Sequence, residues 1–254
     1  MKIGFPLVIA FSLAFAAHAT AQVGPQVSPD EPHQLAADEL LRCSIAYHDP
    51  KGSWQQGAFQ ITDVSNRPDG SIGRRTVLRF NNARSRFEME SHIDGRVVTA
   101  TVKGDVVEEI RLDGRADFSS AELERYQLDA AKVLTRRNFF LYLLGLPMKL
   151  RDPGTRLDPN VKATVFQGTA VHELRVTYDQ SVGSDTWYFY LDRQTCALVG
   201  HRFYHNESID DGEYAVLNEE VSGQGLRLPR VRKWHRNQDG EWFITHTVLS
   251  IEAP

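Results

Sequence analysis

A chain of 254 residues that is 41% hydrophobic and 24% charged carries enough apolar material for a core, which excludes disordered and collagen-like classes. Its formal charge of −4 and pI near 6.1 give no electrostatic footing for nucleic acid, and none is expected as a partner.

Lys2 precedes an apolar run from Ile3 to Ala17, and small residues stand at Ala17, Ala19 and Ala21, the plan of a secretory signal peptide over residues 1–21. Cleavage is expected after Ala21, with Ala19 the next choice, leaving 254 − 21 = 233 residues. The other reading, an uncleaved anchor, falls short of the roughly 18 apolar residues that a span wants. The expected product is exported, periplasmic, monomeric and without a membrane span after cleavage. In an oxidising compartment Cys43 and Cys196, the only cysteines, could pair; two small buried hydrophobes are the alternative.

Residues 22–32, with Pro25, Pro29 and Pro32, read as a flexible leader, and residues 33–254 as a single domain. From about His33 to Tyr47, Leu35, Leu40, Leu41 and Ile45 alternate with charges as on an amphipathic helix, stopped by Asp49, Pro50 and Gly52. From Trp54 to Leu112 the period becomes two: about five antiparallel strands are expected, with turns at Pro68–Gly70, Asp94-Gly95 and Gly104-Asp105. Ser119 or Ser120 with Glu122 resembles a capping box, opening two helical pieces that run to Leu144. Pro147, Pro153, Gly154 and Pro159 then suggest a long irregular loop. Five or six further strands follow from Val161, with aromatic residues on both faces, and Asp211-Gly212 and Gln238–Gly240 as hairpin turns. The fold class is mainly β (α+β), ten or eleven antiparallel strands curled around an apolar helix.

That helix is the run Phe139 to Leu144, ended by Gly145 and Pro147 and apolar all round, so it must be buried on several sides. It is read either as a plug completing the core or as the lining of a cavity for an acyl chain. Arg136, Arg137, Lys149 and Arg151 beside it either meet an anionic head group or simply solvate the helix ends.

No GxSxG elbow, HExxH, phosphate loop or dinucleotide fingerprint is present. His201 and His205 would lie ~13 Å apart on a strand, too far to share a metal. Tyr47, His48, Asp49, His201 and His205 remain the polar set from which an enzyme would draw.

The segments NFFLYLLGLPMKLRDPGT (from Asn138), YHDP (from Tyr47), TYDQSVGSDTWYFYLD (Thr177–Asp192) and GHRFYHNES (Gly200–Ser208) resemble an exported bacterial domain family of uncharacterised function. The resemblance runs from about Leu35 to Trp242. That family is similar in plan to the LolA and LppX lipoprotein-carrier group, which implies a curved antiparallel half-barrel with helices over its concave face and an apolar cavity between. It carries no individual functional residue across.

The expected function is therefore non-covalent binding of an apolar or lipidic ligand, such as a lipid or a lipoprotein acyl chain, without a cofactor. Phe139, Phe140, Tyr142, Leu143, Leu146 and Met148 are the lining candidates on the helical side, and Tyr178, Trp187, Phe189 and Phe203 those on the sheet. The alternatives are an enzyme using the polar set or an interaction module with a filled core.

Overall fold

The computed structural model describes residues 36–254, so the expected signal peptide and leader lie outside the described residues. Helix α1 (Ala37–His48) and the short α2 (Ser53–Gln56) lead into β1 (Ala58–Asn66), β2 (Ile72–Asn81), β3 (Arg86–Ile93), β4 (Arg96–Lys103) and β5 (Val106–Leu112). Helices α3 (Ser120–Tyr126) and α4 (Ala130–Leu144) follow, with a 3-10 turn at Met148–Arg151. The remaining strands are β6 (Thr155–Leu157), β7 (Lys162–Phe166), β8 (Thr169–Tyr178), β9 (Thr186–Asp192), β10 (Leu198–Asn206), β11 (Asp211–Gly223), β12 (Leu226–Arg236) and β13 (Trp242–Glu252).

All thirteen strands form one open antiparallel sheet in the order β5-β4-β3-β2-β1-β13-β12-β11-β10-β9-β8-β6, with β7 also paired to β8. The chain meanders except where β1 meets β13, which joins the two halves, and where β6 pairs with β8 past β7. Register shifts interrupt six of the twelve pairings, and bulges increase local twist, so a sheet of this size curves.

Thirteen strands exceed the ten or eleven expected, for local reasons. β6 has three residues, too few to show a period, and lies where an irregular loop was expected. Gln167 and Gly168, both at positive φ, turn the chain back on itself and split one expected strand into β7 and β8. Asp211-Gly212 is not the hairpin turn its sequence suggests but the start of β11; the chain reverses in the 3-10 turn Glu207–Ile209, capped by the Asn206 side chain. Gly212 is needed for close approach, since a Cβ there would stand 2.1 Å from the Phe203 carbonyl oxygen. The capping box is present at Ser119 and Glu122, opening α3.

Helices α1 and α4 pack on one face of the sheet, here the inner face, over two apolar clusters. Phe59, Ile61, Leu78, Phe87 and Met89 centre the first, while Leu174, Val176, Phe189, Leu191 and Leu217 centre the second. α3 closes a smaller cluster over β4 and β5. On the outer face Phe166 stacks on Tyr190 and meets Tyr214, which covers the second set of aromatic residues.

α1 is held at three kinds of contact. Leu40 and Leu41 are fully buried; Cys43 and Cys196 form a disulfide with Cα atoms 5.8 Å apart; and His48 bridges two strands, one ring nitrogen 2.6 Å from the Arg227 oxygen while the other accepts from the Leu198 amide at 2.9 Å. Asp49 then caps α2 by accepting from the Ser53 and Trp54 amides.

Candidate functional site

The apolar segment divides its side chains between the two inner clusters. Phe140, Leu144 and Met148, four apart, join the first; Leu143, Leu146 and Leu150 join the second. Beneath the helix the interior is filled, and the open space lies along its flanks. Among the lining candidates, Leu143, Leu146 and Phe189 are buried in packed core, and Trp187 and Phe203 stack against each other at its edge. Phe139, Phe140, Tyr142, Met148 and Tyr178 instead border clefts.

The first cleft, about 310 Å³, lies between α4 and strands β1, β2, β3 and β13. Phe139 stands at its wall and remains 41% exposed, its ring 6.1 Å from that of His246 and 6.5 Å from that of Trp234. An apolar ring on the inner side of a helix, yet open to solvent, has surface left to bury.

The floor of this cleft is a feature that the sequence reading missed. Arg232, His246, Ser65 and Arg74 lie opposite one another across β12, β13, β1 and β2, and Asp63, Thr76 and Ser91 form the next row across β1, β2 and β3. Directly paired residues share a face, so a belt of polar side chains crosses the inner face between apolar rows. Asp63, Ser65, Thr76, Ser91 and Arg232 are all buried. Such groups need partners. His246 Nδ1 lies 2.8 Å from Asp63 Oδ2, and the Thr76 and Ser91 hydroxyls are 3.1 Å apart. Arg232 Nη2 donates to the Leu143 carbonyl at 3.5 Å, whereas its Nη1 has no partner among the described residues.

From above, α4 adds Arg136, 9% exposed, whose Nη2 donates to Gln127 Oε1 at 3.0 Å. Burial and the adjacent Arg74 charge push its guanidinium down to about 10 from 12.5. Burial also lowers Arg74, opposed by the negative charges of Asp63 and Asp94, and lowers Arg232 to about 10. Arginines stay charged at neutral pH, so the shifts measure how poorly their charges are accommodated.

On the other flank of α4, clefts of about 370 Å³ and 440 Å³ share Leu141, Lys149 and Asp152. The Tyr142 and Tyr178 hydroxyls are hydrogen-bonded to each other there, and burial raises both, Tyr178 to about 12. The basic residues beside the apolar run divide accordingly. Arg137 pairs with Asp105, Lys149 with Asp152 and Arg151 with Asp38, whereas Arg136, lining the first cleft, has no acidic partner among the described residues.

The polar set considered for catalysis does not converge. Tyr47 donates to Glu220, His48 and Asp49 hold backbone, and His205 contacts Asp185 at the surface. His201 is 1% exposed among Trp187, Phe189 and Trp234, with neither ring nitrogen partnered among the described residues; burial lowers it to about 3, so it is neutral. Among the described residues no group of His, Cys, Asp and Glu is placed to hold a metal, and no helix is long and apolar enough to cross a membrane.

An open, curved antiparallel sheet with helices on one face and ligand-sized clefts beside one of them defines the class, a LolA-like fold. A LolA superfamily protein from Nitrosomonas europaea is similar with a TM-score of 0.50 at 11% identity, over 86% of this chain and 94% of that one. A putative outer membrane lipoprotein-sorting protein domain from Vibrio parahaemolyticus matches with a TM-score of 0.47 at 11% identity, over 85% and 92% of the two chains. The chain belongs to the Family of unknown function (DUF6503), which matches residues 31–252. No curated protein matches it in sequence.

Proposed function

We propose that the protein is an exported, periplasmic binder of an apolar or lipidic ligand, held non-covalently where α4 crosses the concave face of the sheet. The observation that carries this reading is Phe139, an exposed aromatic residue on the wall of a cleft about 310 Å³ in volume, within the size range of small-ligand sites. The LolA-like fold agrees with it, and the lipoprotein-carrier group that the sequence resembles in plan implies an apolar cavity between helices and sheet. The signal-peptide plan of residues 1–21 and the Cys43–Cys196 disulfide, a bond that persists in oxidising compartments, support export. Because Leu143, Leu146 and Phe189 already fill the interior, the ligand lies beside α4 in this conformation rather than beneath it.

Native mass spectrometry with organic extraction of protein purified from its own host tests the reading, with a co-purifying lipid expected. Stripped protein should regain stability from an acyl compound, about 2.7 kcal/mol at a hundredfold excess over Kd, because the ligand binds only the folded state. A preparation that carries no lipid, and whose melting temperature no lipid or detergent raises, would remove the reading.

A further inference from the structure

The cleft beside Phe139 is apolar along one wall and positively charged at its base. Arg74 from β2 and Arg136 from α4 come from opposite sides, and Arg67 stands at the edge with Nη1 donating to Ser71 Oγ at 3.3 Å. The negative groups within reach are Asp63, which His246 engages, and Asp94, which Arg125 engages. Among the described residues neither Arg74 nor Arg136 has a carboxylate at ion-pair distance, and the Arg74 charge adds to the cost of burying Arg136. Arg136 is buried and Arg74 half-buried, and a protein does not ordinarily bring like charges to one partly desolvated cleft without something to offset them. Replacing Arg136 by an apolar residue would complete the stripe of Val133, Phe140 and Leu144 on the buried side of α4, so packing does not account for the guanidinium.

We propose that the cleft is an oxyanion site, in which Arg74 and Arg136 together grip a carboxylate or phosphate whose apolar body lies against Phe139, Phe140 and Ile244. A planar guanidinium presents paired N–H donors that match such an oxyanion in two-pronged fashion, and two guanidiniums from facing elements close on it as a clamp. Ser65, in register between Arg74 and His246, donates its hydroxyl to the Arg74 carbonyl at 3.5 Å and lines the same cleft. The anion neutralises the repulsion between the arginines, so binding draws α4 onto the sheet. The apolar half of this inference rests on the proposed function; the oxyanion half stands on the arginines alone.

Three probes separate the two: decyl phosphate, 1-decanol and inorganic phosphate, titrated calorimetrically into lipid-stripped protein. Decyl phosphate is expected to bind at least about tenfold more tightly than decanol, in keeping with charge-assisted hydrogen bonds. The double variant Arg74→Gln/Arg136→Gln should lose that preference, and Arg136→Lys, with one point charge and no fork, should fall between. Arg230→Gln, outside the cleft and paired with Glu219, should leave the preference intact. Circular dichroism of each variant checks folding. Equal affinity for decyl phosphate and decanol, or a preference surviving in the double variant, overturns the oxyanion site while sparing apolar binding. Inorganic phosphate binding as tightly as decyl phosphate sustains the oxyanion site and removes the lipidic body. Failure of all three probes overturns both.

Discussion

Arg136 offers the sharpest test, because a binding residue and a structural residue respond oppositely to its removal. The side chain is 9% exposed and its guanidinium is pushed down from 12.5 to about 10 by burial and by Arg74. At about 1.36 kcal/mol per pH unit, that gap is a penalty of about 3 kcal/mol on the charged form in the folded protein. The sign follows from proton counts. Between about pH 10 and 12.5 the unfolded chain holds the proton and the folded one does not, so stability rises with pH there; below that window both states are charged and the whole penalty is in force. Arg136→Met keeps the length of the stem and drops the charge. It forfeits the bond to Gln127, whose residue is exposed and returns its oxygen to water at a cost of about 1 kcal/mol. The empty variant should therefore be more stable than the empty wild type by about 2 kcal/mol. For a unit of this size that is a rise in Tm of roughly 4–8 °C. Urea unfolding of lipid-stripped protein measures it, and the gain should be flat from about pH 5 to 8. Destabilisation of Arg136→Met by more than about 1 kcal/mol would show that the folded protein itself satisfies the guanidinium, and the reasoning would fail.

The Cys43–Cys196 bond closes a 153-residue separation, which in the chain-entropy account restricts the unfolded state by about 5 kcal/mol. Reduction, or replacing both cysteines by alanine, should lower stability by about 2–5 kcal/mol in denaturant melts, and a change under 1 kcal/mol would refute that account. Phe189→Ala, in packed core, should cost about 3–5 kcal/mol, whereas Phe139→Ala should stay within about 1 kcal/mol yet weaken binding of an acyl probe; the reverse order would place the ligand under the helix instead of beside it. His201, lowered to about 3, must stay neutral in the folded state while its unfolded counterpart takes up a proton below about pH 6.5. Stability should accordingly fall by about 2 kcal/mol from pH 6.5 to 4.5, and His201→Leu should flatten that decline; an unchanged slope in the variant would assign it elsewhere.

The strands, hairpins and caps were legible because each is written locally. Alternation at Thr76, Leu78 and Phe80, the Asp94-Gly95 turn and the Ser119 box all act within a few residues. The cleft was not, because it is assembled from distant sequence. Asp63 and His246 meet across 183 positions through the pairing of β1 with β13, which no short connection implies. Arg74 continues the inward alternation of Thr76 and Leu78, but a charged residue on a strand ordinarily reads as solvent-facing, and nothing near it reveals that the face is covered. Arg136 gave the one local signal: a guanidinium three and four residues before Phe139 and Phe140 lies on their side of the helix. Its neighbour Arg137 gave the same signal and pairs with Asp105, so register relative to the buried face decides between them.

The choice between plug and lid for Phe139 to Leu144 dissolves once the two helices on the inner face are compared. α1 is fixed by a covalent bond, by His48 between two strands and by fully buried leucines. α4 is held by its side-chain rows, the Asp129 cap, the Arg137–Asp105 pair, the Tyr142–Tyr178 hydroxyl bond and the Arg232 bond to the Leu143 carbonyl, with clefts along both flanks and the Arg74 charge acting on Arg136 in its first half. The disulfide ties α1 covalently to the sheet side and nothing comparable ties α4, so ligand-dependent movement belongs to α4 and not to α1. Its C-terminal half, through Phe140, Leu143 and Leu144, holds the two clusters together as a plug; its N-terminal half, through Arg136, closes a site that an anion would complete. One helix then serves as both, and hydrogen exchange should show the division: amides around Arg136 and Arg137 should gain protection on addition of decyl phosphate, while those of α1 stay unchanged. Equal protection of the two helices would mean that the ligand stabilises the fold as a whole and that α4 has no separate role.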